Sequence, residues 1–515
     1  MQMPDIHSAS DQTLFEALLE AMHTHGKDEK RIEDIMPSLA SYGDLLKKSL
    51  ALGRLVAKVS APNENVGVFM PNVTNTIALI FGMSAFARIP AMLNYTAGLA
   101  NLQDACDVAN IKTIITSRKF VETAQLESLL AKLQNVQIHY LEDLRSHFTL
   151  WDQCWLFCFA LRFPSLVNRA GSADLPAVVL FTSGSEGTPK GVVHSHRSIL
   201  ANIAQIRSRL DFYASDKVMA CLPLFHVFGF TCGAIMPVVI GAKLYLYPSP
   251  LHYKAIPEII AEKKCTVLFS TSTFLAHYAT HAKAHDLAFL RLVLAGAEKL
   301  NPQVHQTWMD QFGLNILEGY GATECAPVLA VNTPSEHRLG TVGKLLPELH
   351  ADLAPVAGMV GGGILKVRGP NLMLGYYLKP APGVLHSSEG DFYDTGDIVE
   401  IDQEGFITIL GRVKRFSKVA GEMVSLDTVE KIAMAASPDH RHAASSFQDA
   451  RRGEVIVLFT TDQNLVREAI QHASKVLGFP EIAIPRKIIF IKELPLLATG
   501  KTDYLHINQM AEALG

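Results

Sequence analysis

PAVVLFTSGSEGTPKGVVHSHRSILANIAQIRSRL, residues 176–210, frames the rest of the chain. Its first six residues form an unbroken apolar run without polar alternation, which predicts a strand buried on both faces. Toward its end Ile199, Leu200, Ile203, Ile206 and Leu210 recur at helical spacing and give a helix one apolar face. Between them lies TSGSEGTPKG. Its glycines allow positive φ and close backbone approach, so successive N–H groups can face an anion. Thr182, Ser183 and Ser185 add hydroxyl donors and Lys190 adds a positive charge. By itself a Gly/Ser loop after a strand is more often a turn than a phosphate site. Glu186 is unexpected in a loop that would hold phosphate.

The same alternation extends in both directions. Downstream come KVMACLP, AKLYLYP, IPEIIAEKK, TVLFS, FLAHYA and LRLVLAG; upstream, between 65 and 142, come NVGVFM, IPAMLNY, IKTIITS and VQIHYLE. Strands alternating with helices predict an α/β fold of packed, mostly parallel sheets with flanking helices. Past Gly411 the texture changes to short strands and small helices, among them EVIVLFTTD, a helix from about 464 to 476 and PRKIIFIKEL. The expected division is a large domain over 1–410 and a small α+β domain over 411–515, with a hinge near GRVKR. At 515 residues the chain exceeds one compact core, since single cores stop growing at about 250–300 residues.

Composition narrows the function classes. With 49% hydrophobic and 19% charged residues the chain is expected to fold. A net charge of −4 and no long basic run argue against nucleic acid as a partner. Seven scattered cysteines without a Cys-x-x-Cys pair fit neither a disulfide framework nor a zinc site, and favour a reducing, cytoplasmic setting. The first residues carry no secretory signal pattern. WDQCWLFCFALRFPSLV, residues 151–167, is rich in Trp, Phe and Leu but interrupted by Arg162 and Pro164. It is short of the roughly 20 apolar residues that span a bilayer. Two readings of it stand level: peripheral docking at a membrane interface, on the cytoplasmic face of a bacterial inner membrane, or a helix buried or facing a partner.

Common phosphate and nucleophile motifs fail on inspection. A Walker A loop needs Gly directly before its Lys, and Pro189 stands there. The GKT at 500–502 lacks its opening Gly because position 495 is Pro, and Ser185 lacks the Gly at 183 that a hydrolase elbow requires. In their order, however, FTSGSEGTPKGVVHSH (181–196), LPLFHVFG (222–229), AGAEKL (295–300), EGYGATECAP (318–327), YDTGD (393–397), GRVKR (411–415) and LPLLATGKTD (494–503) resemble the adenylate-forming superfamily of acyl-CoA synthetases, luciferases and adenylation domains.

The resemblance implies an ATP- and Mg²⁺-dependent ligase and assigns roles by position. Thr182, Ser183, Gly184, Ser185, Gly187 and Lys190 would hold the β- and γ-phosphates. Ala297, Glu298, Tyr320 and Gly321 would line the adenine pocket. Thr323 would lie at the α-phosphate, and Glu324 would hold Mg²⁺ through a hard oxygen. Asp397 would accept from the ribose hydroxyls with Arg412 beside it. Lys501, on a mobile small domain, would reach the carboxylate and α-phosphate oxygens. Lys414 would be the hinge about which that domain rotates, and Gly421 would let a pantetheine arm pass. His226 would gate the acyl channel, although a packed core histidine explains it equally well.

Within the superfamily, YTAGLANLQDA, SEGTPKGVVHSH, YPSPLHY, STSTFLAHY, ILEGYGATECAPV and GRVKRFSKVAGEMVSL look like the acyl-[acyl-carrier-protein] synthetase half of the bacterial bifunctional 2-acylglycerophosphoethanolamine acyltransferase/acyl-ACP synthetases. That likeness implies transfer of a long-chain fatty acid to acyl carrier protein, with coenzyme A as the alternative acceptor. Arg415, Leu426 and Thr428 depart from the usual Asp, Pro and Glu of the superfamily. Arg412, Lys414, Arg415 and Lys418 form a basic cluster that would steer an acidic carrier protein, or else an ordinary charged turn. There is no room ahead of residue 65 for an acyltransferase domain. A more distant alternative is a non-catalytic acyl- or nucleotide-binding protein at a membrane.

Overall fold

A computed structural model describes residues 6–36, 39–182, 189–356, 362–387, 390–419, 422–449, 453–496 and 502–514. Two compact units emerge. The first takes in most of the chain to Leu349 and returns for Arg368–Asp391; the second comprises His350–Val367 and the chain from Phe392 onward.

The first unit is built on two large sheets. One runs, from edge to edge, Lys344–Leu345, Val328–Val331, Ile316–Gly321, Leu292–Ala295, Val267–Ser270, Lys217–Ala220, Lys243–Leu246, Lys30–Glu33 and Ala40–Ser41. Its middle strands are parallel; the strands at the edges turn antiparallel. The other runs Ala381–His386, Gly375–Leu378, Lys190–Ser195, Pro176–Thr182, Ile89–Met92, Asn65–Phe69, Thr113–Thr116 and Gln137–Tyr140. Apolar strands such as Asn65–Phe69, Ile89–Met92 and Val267–Ser270 are buried throughout, as strands covered on both faces must be. The fold class is therefore the one the sequence predicts.

The helix His196–Arg209 ties the two sheets together. Ser195 caps its start by accepting from the Ser198 amide. Its one-sided pattern is nearly all buried, Ile199, Leu200, Ile203 and Ile206 included. Polar residues on it are equally engaged: Asn202 exchanges hydrogen bonds with the backbone of Val328 at 2.8 and 3.0 Å, and Gln205 donates to Pro347 O at 2.8 Å.

The second unit contains an antiparallel sheet ordered His350–Ala354, Gly363–Arg368, Tyr393–Ile401 and Ile407–Arg412. The boundary drawn at 410/411 from sequence texture falls inside its last strand. Beyond it come the hairpin Phe416–Val419/Glu422–Ser425, the helices Leu426–Ala436, Arg467–Leu477 and Tyr504–Glu512, and the sheet His442–Asp449, Gly453–Thr460, Lys487–Phe490. This unit has its own apolar cores, around Val429, Ile432 and Leu458 and around Phe447, Phe459 and Ile507.

Candidate active site

The strands explain why the singled-out stretches meet. Leu292–Ala295 and Ile316–Gly321 are parallel neighbours, Ala295 facing Glu318, so AGAEKL and EGYG both leave the carboxyl end of the sheet. Ligands in open α/β sheets bind outside such strand ends. Glu318 fastens the two turns, its Oε1 accepting the Leu300 amide at 2.8 Å. Glu298 is half-buried and accepts from the Thr273 amide. Ala297 is exposed and takes φ +69°, the left-handed turn a non-glycine residue adopts reluctantly. Tyr320 is buried on its strand. A Cβ on Gly296 would lie 3.3 Å from the Phe228 ring and 3.7 Å from Gly319 O, so LPLFHVFG packs onto the same corner. His226 is half-buried there, its ring 4.8 Å from that of Phe225. Gly321 has a steric reason: a Cβ would come within 1.9 Å of Pro327 O.

The phosphate-type loop closes a hairpin rather than leading into a helix, since Pro176–Thr182 and Lys190–Ser195 pair antiparallel with Thr182 opposite Lys190. Ser183, Gly184, Ser185, Glu186 and Gly187 lie outside the described residues. Lys190 is half-buried, and its Nζ sits 5.2 Å from the centroid of the Tyr376 ring. The Tyr376 hydroxyl donates to Glu324 Oε1 at 2.8 Å. Met373 N donates to the Glu324 carbonyl at 2.9 Å. Thr323, its neighbour, is held through its carbonyl, which lies 2.6 Å from His194 Nε2. A carbonyl only accepts, so His194 donates from Nε2. Burial pushes this imidazole down to about 4, the Thr323 contact opposing part of the shift.

The first unit thus brings Lys190, which opens a strand of one sheet, together with Thr323 and Glu324, in the short turn Thr323–Cys325 that follows a strand of the other. Tyr376 is the piece sequence reasoning passed over, and His194 reads from sequence only as a polar residue at a helix start. The signal for His194 was a lone imidazole in the otherwise apolar run GVVHS; Tyr376, in LGYYLKP, carried none beyond that of a strand.

In the second unit Asp397 and Arg412 face each other across paired strands, and Arg412 Nε lies 2.8 Å from Asp397 Oδ1. Asp397 is buried and Arg412 exposed. Lys501 and Gly421 lie outside the described residues, as does the side chain of Lys414, whose backbone belongs to the short turn Val413–Arg415. Leu496 and Thr502, flanking Lys501, form a bridge. The basic cluster proves smaller than its sequence implies. Arg415 is buried and bound to Glu430 at 2.6 Å and Asp427 at 3.1 Å, so it presents no charge to a carrier protein.

The family model for AMP-binding enzymes matches residues 32–377. The chain belongs to the AMP-binding enzymes. A long-chain-fatty-acid–CoA ligase of Salmonella typhimurium is 25% identical over 512 residues, covering 92% of this chain and 88% of that protein. A medium-chain fatty-acid–CoA ligase of Escherichia coli is 29% identical, covering 64% and 60%. Among solved structures, ATP-bound MatB from Rhodopseudomonas palustris superposes with a TM-score of 0.83 at 21% identity, covering 98% of this chain and 99% of that one. The AMP-binding enzymes use ATP with Mg²⁺, and the donor set at Glu324 agrees. Among the described residues no group of three or more His, Cys, Asp or Glu could cage a metal. A lone carboxylate suits Mg²⁺, which is bound by one or two carboxylates and otherwise by phosphate oxygens and water.

Proposed function

We propose that the chain joins a long-chain fatty acid to a pantetheine thiol through an acyl adenylate, with coenzyme A as the leading acceptor. A carboxylate oxygen attacks the α-phosphorus of ATP and pyrophosphate leaves; the thiolate sulfur then attacks the acyl carbon and AMP leaves. The gathering of Lys190, Tyr376, Thr323 and Glu324 beside the carboxyl ends of the sheet strands carries this reading. Carboxylate and triphosphate repel each other, so the protein's task is to position them and offset charge. Lys190 and the loop 182–187 would face the outer phosphates, Thr323 the α-phosphate, and Ala297, Glu298, Tyr320 and Gly321 the adenine. Bound Mg²⁺, held by Glu324, would neutralise phosphate charge. Asp397 with Arg412 would take the ribose and Lys501 the reacting oxygens. Rotation of the part after residue 410 about Lys414 would bring Gly421 to the thiol, and His226 would gate the acyl chain.

Sequence likeness placed acyl carrier protein first. The fatty-acid–CoA ligase relatives and the burial of Arg415 reverse that order. The carrier protein remains the second reading on the strength of segments such as YTAGLANLQDA and GRVKRFSKVAGEMVSL. The test is exchange of labelled pyrophosphate into ATP, which should appear only with a fatty acid present; no exchange across a series of chain lengths would sink the reading. Thioester formation should then run faster with coenzyme A than with holo-carrier protein, and the opposite ranking would restore the carrier protein.

A further inference from the structure

Residues 148–167 take no part in the site just described. Their backbone is broken into the helix Leu150–Trp155, the wide turn Leu156–Ala160 and the short helix Pro164–Val167. Thr149 and Asp152 form a capping box at the start. One side is anchored: Leu156, Ala160 and Val167 are buried in the main core, and Trp155 packs on Phe86 at 6.0 Å with the Arg54 guanidinium 4.2 Å over its ring. The other side is bare. Trp151 is 80% exposed, Leu150 76%, Leu166 71%, Phe163 54% and Phe157 51%. Soluble proteins rarely leave so much apolar side chain in one place without a partner for it.

The exposed charges within the segment itself have one sign. From His147 to Gly171 the only carboxylate is Asp152. It is buried and taken by Arg54 at 2.6 Å and by Lys58. Arg162 and Arg169 are exposed, and Lys47, also exposed, holds its ammonium 4.9 Å from the Phe157 ring. Exposed Trp, Phe and Leu fringed by Arg162, Arg169 and Lys47, with Asp44, one turn from Lys47, the exposed acid at the margin, match the headgroup boundary of an acidic bilayer. Carboxylates of a protein partner would satisfy the cations, but acidic headgroups supply both the countercharge and the apolar depth. None of these helical pieces approaches the roughly 20 residues needed to cross, so the segment lies on a membrane rather than in it.

The geometry points to residues 150–166 as a docking surface for an anionic phospholipid bilayer. This holds whichever thiol accepts the acyl group, and does not rest on the chemistry of the site. The experiment floats the full chain with vesicles of phosphatidylcholine alone and of phosphatidylcholine with about a third phosphatidylglycerol. The chain should float with the acidic vesicles and stay behind with the neutral ones. The triple variant Trp151→Ser, Phe163→Ser, Leu166→Ser should lose at least about tenfold in partitioning, because it removes the apolar contact area. Its far-ultraviolet dichroism and melting curve should match those of the parent, since all three side chains face solvent. If the triple variant does not fold, Leu166→Glu repeats the comparison at one exposed position. Failure to float, equal flotation of parent and variant, or equal binding to neutral vesicles would overturn the proposal. So would a parent chain that forms oligomers dissolved by the same substitutions, which would make the patch a protein interface.

Discussion

The Tyr376 hydroxyl donates to Glu324 while its ring lies under the Lys190 ammonium, so one side chain sets the spacing of a carboxylate and a cation. Removing the hydroxyl alone separates these duties. Tyr376→Phe keeps the ring under Lys190 and leaves Glu324 without that donor. A hydrogen bond to a charged group contributes about 1.5–3 kcal/mol, so the acid-dependent exchange rate should fall by about 10- to 100-fold. The Mg²⁺ concentration for half-maximal exchange should rise as well, because Glu324 is no longer held in place. Tyr376→Leu removes the ring too and should lose more. Exchange kinetics across a Mg²⁺ titration decide it, and unchanged values in Tyr376→Phe would remove this residue from the machinery. Lys190, Thr323 and Glu324 were legible in sequence because each sits inside an ordered motif. Tyr376 was not, since its partner lies 52 positions away and a tyrosine on a strand is ordinarily packing.

Elements were read well where both faces of a strand are covered and the sequence becomes a continuous apolar run. PAVVLF, TVLFS and LRLVLAG all lie on observed strands, as do NVGVFM and IKTIITS. The antiparallel sheet spanning His350–Arg412 was missed because its strands are partly exposed and alternate only weakly, as in HADLA and YDTGDIVEI. Strand Lys190–Ser195 is hidden in sequence because Lys190 and Gly191 end the glycine-rich loop and the four residues after them run straight into a helix start. Past that sheet, the departure at Arg415 proves to be structural. Its guanidinium binds Glu430 and Asp427, donates to Ala444 O at 2.6 Å and lies 3.8 Å from the Tyr504 ring, while Tyr504 donates to Glu430 at 2.9 Å. One arginine thus joins the turn after Arg412, the helix Leu426–Ala436, the strand His442–Asp449 and the helix Tyr504–Glu512. Arg415→Met leaves the half-buried Glu430 without its arginine partner, which should destabilise the second unit by up to about 3 kcal/mol. Arg415→Lys keeps the charge but not the fork, and should fall between. Amide exchange in the strands His442–Asp449 and Gly453–Thr460 reports it; protection equal to that of the parent in Arg415→Met would show that the network adds nothing.

At the scale of the molecule, two units with separate cores should answer differently to acid, and the first carries the more sensitive groups. His196 is buried, and its Nδ1 accepts the Leu14 amide at 3.1 Å, so this imidazole is neutral in the fold. Burial pushes it down to about 4, as it does His194. In the unfolded chain both return to about 6.5. Between those values the unfolded state binds protons that the folded state refuses. The stability owed to the neutral rings is therefore complete above about pH 6.5 and is lost as pH falls toward about 4, at up to about 1.4 kcal/mol per pH unit for each histidine. The three tryptophans, at 151, 155 and 308, all lie in the first unit, so their fluorescence follows its unfolding apart from the second. Denaturant midpoints read this way should drop steadily from pH 6.5 to pH 4 in the parent. In His196→Asn the starting stability should be lower and the decline shallower by about one proton's worth, roughly half of the two-histidine slope. A parent curve that stays flat across this window, or a variant that declines as steeply, would mean that these imidazoles are not what makes the unit acid-labile.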